Sequence, residues 1–91
     1  MRRLRVKHAR AGYADAAAFG RVLRQLRVSH GLTQQQLAAK ASRDRTFIGI
    51  LERGEQSPTL TTMLNLCEAL GVELVHMCSL VERELGRSTS R

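Results

Sequence analysis

"LTQQQLAAKASRDRTFIGILERG", Leu32 to Gly54, carries two helical patterns separated only by the short turn "ASRD". Thr33 suits the N-cap of the first, and Gln36, three residues on, completes a capping box, with Leu37 and Ala38 facing inward. Asp44 can cap the second, and Gly54 closes it. At about 100° per residue, Phe47, Ile48 and Leu51 fall on one side of that second helix as its buried stripe. Arg45, Thr46, Gly49 and Arg53 fall on the other, with Ile50 at the rim. A face that served only solubility would usually carry Glu and Lys.

These residue types suit a DNA major groove. Arginine can donate two hydrogen bonds to a guanine, and threonine can bond a base edge or touch a thymine methyl. Gly49 would let the backbone approach closely, and Ile50 could meet another methyl. A solvated polar face explains the same composition equally well, so composition alone does not choose.

Outward from this stretch, three more helical patterns complete the chain. The first spans about Asp15 to Val28, with Asp15 as start signal, Phe19, Val22, Leu23 and Leu26 as one stripe, and the "SHG" of Ser29–Gly31 as its stop. The fourth starts from a Thr59 cap, with Leu60, Met63, Leu64 and Cys67 expected on its inner face, and ends at Gly71. The fifth spans about Val72 to Leu85. With a single Pro and few β-branched runs, the chain reads as all-α and, at 91 residues, as one domain. Residues 1–14 read as a basic, flexible arm, 15–85 as the folded domain and 86–91 as a basic tail.

The net charge of +7 is unevenly placed. Residues 1–14 carry +5 and residues 86–91 carry +2, while the body between them is neutral. That body is itself split: +5 from Arg21 to Arg53 and −4 from Gly54 to Leu85. One half attracts a polyanion and the other repels it. No apolar run approaches the ~20 residues of a membrane span, and "MRRLRVKHAR" lacks the apolar stretch of a signal peptide. Cys67 and Cys78 both fall in helical patterns, which suits free thiols in a reducing cytoplasm. His8, His30 and His76 have no partner at metal-ligand spacing, and no phosphate loop or activated nucleophile is present. No metal, cofactor, small-molecule ligand or enzymatic activity is expected.

The fifth pattern is apolar around much of its girth. Leu74, Met77, Cys78, Val81 and Leu85 already fill one stripe, and Val75 and Leu80 lie outside it. In so small a protein that excess points to an interface, at Val75, Cys78, Leu80 and Val81, in the acidic half.

The central stretch resembles the helix-turn-helix of the phage repressor and Cro family, the Xre-like regulators. "TQQQLAAKA" is similar to the family's first motif helix, "FIGILERG" to the end of its recognition helix, and "SPTLTTMLNLCEALGVEL" to the helix that follows. The likeness covers about residues 19 to 81 without an insertion. It implies a compact five-helix bundle of the lambda-repressor-like type, with the third helix in the major groove. By the same resemblance Arg45, Thr46, Gly49 and Ile50 match base-reading positions, and Thr33, Gln34, Arg43 and Arg53 match phosphate contacts. Arg27 and Glu52 match a structural pair tying helix 1 to the recognition helix. The chain departs from the family at Ser42 and Arg43, where "GV" is common, and at Gly49, where a larger polar residue is common.

The resemblance implies a transcriptional regulator that binds double-stranded DNA as a homodimer. "DRTFIGILERG" fits the restriction–modification controller subgroup. The competing expectation is an antitoxin or adaptor whose main partner is a protein, such as a toxin or RNA polymerase.

Overall fold

The computed structural model describes residues 11–89, which form five α-helices and, among the described residues, no strand. They are α1 (Ala11–Ser29), α2 (Gln34–Lys40), α3 (Arg45–Glu52), α4 (Leu60–Leu70) and α5 (Leu74–Thr89). The all-α, five-helix expectation holds. Positions 1–10 of the expected arm and 90–91 of the expected tail lie outside the described residues.

Two helix starts differ from the sequence reading. Helix α1 begins at Ala11, not at Asp15. Its opening is alanine-rich, which favours the helix, and neither Gly12 nor Asp15 interrupts it. Helix α5 begins at Leu74, and the carbonyl of Glu73 accepts its first hydrogen bonds, from the amides of His76 and Met77. It passes through Gly86 to Thr89, since a lone glycine weakens a helix without ending it.

The predicted caps form as expected. Thr33, Asp44 and Thr59 each sit in extended backbone and accept from an amide three residues on. At Thr33 the capping box is complete, with the Gln36 side chain accepting in return from the Thr33 amide at 2.9 Å. Gly31, Gly54 and Gly71 take left-handed φ angles at the ends of α1, α3 and α4. Ser42 does the same at φ 57°, without being a glycine, in the turn between α2 and α3. That strain of about 1 kcal/mol explains why a glycine suits this position.

The core gathers Phe19, Val22, Leu23 and Leu26 of α1, Leu37 and Ala38 of α2, and Ile48 and Leu51 of α3. Leu66, Cys67 and Leu70 of α4 and Met77 of α5 complete it. Full burial of Ile48 and Leu51 stabilises the seat of α3 by roughly 1.5–3 kcal/mol each. Burial also pushes the Cys67 thiol above its ordinary pKa, with the neighbouring Cys78 adding to the effect.

Helix α4 corrects the sequence reading. Its inner face is Thr62, Leu66, Cys67 and Leu70, whereas Leu60 and Leu64 are 61% and 49% exposed. Both leucine ridges have helical spacing, so periodicity could not say which one turns inward. Contact with α5 and α2 selects the ridge through Leu66 and Leu70.

Helix α1 crosses the end of α3 almost backbone to backbone. A Cβ on Gly20 would lie 2.5 Å from the Leu51 carbonyl oxygen and 2.6 Å from that of Glu52. One on Gly54 would lie 2.9 Å from the Ala17 Cα. The alanines and glycine of "AAAFG" are therefore a contact surface for the end of α3. We expect Gly20→Ala to lower stability by roughly 1–3 kcal/mol despite alanine's better helix propensity, read as a depressed Tm. Gly86→Ala, whose Cβ would meet nothing within 4 Å, raises Tm instead. A Gly20→Ala protein as stable as the parent contradicts this packing.

Candidate nucleic-acid interface

Helix α3 has only 8 residues, too few to hold itself in water, so tertiary contacts decide where it lies. The central contact is polar. The Arg27 Nε donates to Glu52 Oε2 at 2.6 Å and its Nη2 to Oε1 at 3.0 Å, while Nη1 donates to the Leu32 carbonyl at 2.8 Å. Arg27 is 9% exposed and the Glu52 side chain 4%. The hydrogen bond to Glu52 makes the Arg27 guanidinium hold its proton more tightly than usual, against the opposing effect of burial. The pair joins α1 to α3.

The tie extends to the surface. Gln34, first residue of α2, donates from Nε2 to Glu52 Oε1 at 3.0 Å and accepts from Arg45 Nη1 at 3.3 Å. Arg27, Glu52, Gln34 and Arg45 thus form one chain of hydrogen bonds, buried at the Arg27 end and exposed at the Arg45 end. It joins α1, α2 and α3, and it fixes Gln34 as a bridge between the two motif helices.

The other predicted residues differ in exposure and in partners. Arg45 and Thr46 are exposed at the start of α3, and Ile50 is half-buried at its rim. Thr33 is exposed, and its hydroxyl oxygen accepts the Gln36 amide at 3.0 Å. Arg43 lies with its guanidinium carbon 4.2 Å from the centroid of the Phe47 ring, so the extra charge at this departure from the family covers an aromatic face. Asp44, a carboxylate among these cations, is engaged in its cap, accepting from the Phe47 amide at 2.8 Å.

Gly49 and Arg53 differ from expectation in their surroundings. Gly49 is buried, because the Arg53 guanidinium lies over it, with Nη1 3.0 Å from where a Gly49 Cβ would stand. Arg53 in turn pairs with Glu55, Nε to Oε2 at 2.9 Å and Nη2 to Oε1 at 3.2 Å. Arg53 holds the Glu55 carboxyl below its usual range, chiefly through the hydrogen bond. Sequence reading missed Glu55 because it lies beyond the helix end, where periodicity places nothing. It also missed Glu84, a buried carboxylate of α5 that accepts from Arg21 of α1 at 2.5 Å.

On α5, Val75 is 71% exposed, while Cys78, Leu80 and Val81 are half-buried, with Leu80 and Val81 packed on the core. Among the described residues, Val28, Leu60 and Leu64 are the other large apolar side chains left in water. Among the described residues no single helix is long and apolar enough to cross a membrane.

Two short helices joined by a tight turn and bridged by Gln34, the second tied to α1 by a buried ion pair and exposing Arg45 and Thr46, define a helix-turn-helix. The family model described as "Helix-turn-helix domain" matches residues 18–77, and the chain belongs to that family. It is 38% identical over 53 residues to an uncharacterized HTH-type transcriptional regulator, y4dJ, of Sinorhizobium fredii, covering 58% of this chain and 69% of that one. It is 31% identical over 67 residues to the control protein C.MunI of a Mycoplasma species, covering 72% of this chain and 90% of the other. The crystal structure of the restriction–modification controller protein C.AhdI from Aeromonas hydrophila superposes with a TM-score of 0.71 at 38% identity, over 77% of this chain and 99% of that one.

Replacing Glu52 by Ala leaves a buried guanidinium with one carbonyl partner. We expect a loss of about 3 kcal/mol or more in unfolding free energy, and a far smaller one on removing Glu55 from the exposed, solvent-screened pair. Equal losses in denaturant titrations would show that the Arg27–Glu52 pair does not hold the fold.

Proposed function

We propose that this chain is a sequence-specific DNA-binding transcriptional regulator that reads its operator as a dimer, with α3 in the major groove. The observation that carries the reading is the hydrogen-bond chain from Arg27 to Arg45. Such a chain holds one nitrogen of an exposed guanidinium before any ligand arrives, which suits recognition of a fixed array of donors and acceptors. Family membership and the excess positive charge between Arg21 and Arg53 support the same face.

In this reading Arg45 donates to a guanine, Thr46 meets a neighbouring base edge and Ile50 a methyl group. Thr33 and Arg43 hold phosphates on either side. The Thr33 oxygen accepts in its cap and keeps its proton to donate. Gln34, bonded to both Glu52 and Arg45, serves the register of the two helices and presents its remaining amide proton to the backbone. With phosphate contacts setting position and base contacts setting sequence, the two groups have separate signatures.

One recognition helix covers only a few base pairs, so a two-fold pair of chains is the natural reading unit. The exposed Leu60, Leu64 and Val75 support pairing through α4 and α5, in the acidic half that DNA would not approach. Val75, Cys78, Leu80 and Val81 supply the α5 part of that surface. The likeness to control proteins supports a narrower role as a cytoplasmic controller of a restriction–modification operon, acting at its own promoter. The same exposed residues would also suit an antitoxin or adaptor, which is the reading to adopt if DNA selection fails.

Selection from a random duplex library at physiological salt tests the proposal. It predicts a two-fold symmetric motif with half-sites about one helical turn apart. Arg45→Ala removes about 1–3 kcal/mol of discrimination at one position of each half-site. Arg43→Ala instead weakens binding to every sequence and flattens the salt dependence by about one contact per chain. Retention without any enriched motif rejects the regulator reading.

A further inference from the structure

The resemblance gives Arg53 a phosphate and Gly49 a base, but the geometry divides the work differently. At 100° per residue Gly49 lies about 40° from Arg45 on one side and about 40° from Arg53 on the other, in the middle of the exposed face. Arg53 caps the helix in right-handed helical backbone, φ −83° and ψ −2°, so it continues the spiral. Helical side chains lean toward the N-terminus, which carries Arg53 back over the residue four before it. Because that residue is a glycine, the guanidinium occupies the space its side chain would fill, with Nη1 3.0 Å from the Cβ position.

Glu55 fixes it there. A guanidinium has five N–H donors. The Glu55 carboxylate takes one from Nε and one from Nη2. The outer edge is left, with both protons of Nη1 and the second of Nη2, and two parallel donors on such an edge match O6 and N7 of a guanine. The side-on edge, Nε with Nη2, is already filled. A phosphate would also meet the carboxylate beside it, and the formally neutral pair offers little counterion release.

We propose that Arg53 reads a base edge across Gly49, and that Glu55 is a positioning residue that aims it. The assignment rests on the reading of α3 as the groove helix. Arg53 takes the specificity role of position 49, and Gly49 makes room for it. A side chain at 49 would displace the Arg53 guanidinium from where it now lies, so the departure from the family at Gly49 changes which base is read instead of removing a contact. The target is a guanine, adjacent in each half-site to the one read by Arg45.

Two variants separate this from a phosphate contact, each taken through random-duplex selection and a salt titration on the selected duplex. Arg53→Lys keeps the charge and loses the planar fork. The expected result is a loss of roughly 5- to 150-fold in preference at one base position of each half-site, with the rest of the motif and the salt slope unchanged. Glu55→Gln releases the guanidinium. It is expected to blur preference at that same position while raising affinity for all duplexes and steepening the salt slope. An unaltered motif with Arg53→Lys overturns the proposal, because lysine serves a phosphate as well. If the parent protein enriches no motif, the groove-helix reading itself fails and the proposal fails with it. If the parent motif forms and ignores Arg53, only the proposal fails.

Discussion

The ion pair between Arg27 and Glu52 is the constraint on which the rest of the site depends. Placing two charges in a nearly buried position is not an efficient way to stabilise a fold, and an apolar pair would serve as well or better. A carboxylate does what an apolar contact cannot: it accepts from several directions at once. Glu52 accepts two bonds from α1 and one from α2, and it belongs to α3. Three helices are thereby held in one register, and a helix of 8 residues keeps a single orientation.

Steric closeness complements that polar lock. Gly20 against the Leu51 and Glu52 carbonyls, and Ala17 against Gly54, bring α1 onto the end of α3 with no side chain between them. Apolar burial of Ile48 and Leu51 supplies the attraction, the small residues set the distance, and the ion pair sets the rotation. What remains in water is a short row: Arg45, Thr46 and the Arg53–Glu55 pair over Gly49. Helices α4 and α5 are acidic and expose aliphatic side chains, so the two halves of the chain suit partners of different chemistry.

Much of this was legible in the sequence because it is local. N-caps at Thr33, Asp44 and Thr59, glycine stops at 31, 54 and 71, and the stripes of α1, α2 and α3 each follow from residues a few positions apart. The long-range features were not. Nothing near Gly20 signals that a backbone 31 positions away lies against it. Arg27 and Glu52 were paired only through resemblance, since their separation of 25 residues obeys no helical period. On α4, Met63 and Cys67 turn inward as read but Leu60 and Leu64 do not, because two leucine ridges have equal spacing and contact with α5 and α2 makes the choice. Glu55 escaped because it follows the helix end, where its partner is set by how Arg53 folds back.

The central claim is that DNA lies on the face built by the starts of α2 and α3. Backbone amide chemical shifts, followed as a short duplex is added to the labelled protein at low salt, test it directly. The account predicts that perturbations concentrate at Thr33–Gln36 and Arg43–Glu55, with Leu74–Leu85 of α5 nearly unmoved. Shifts centred on α4 and α5, or none outside residues 1–10, would contradict it.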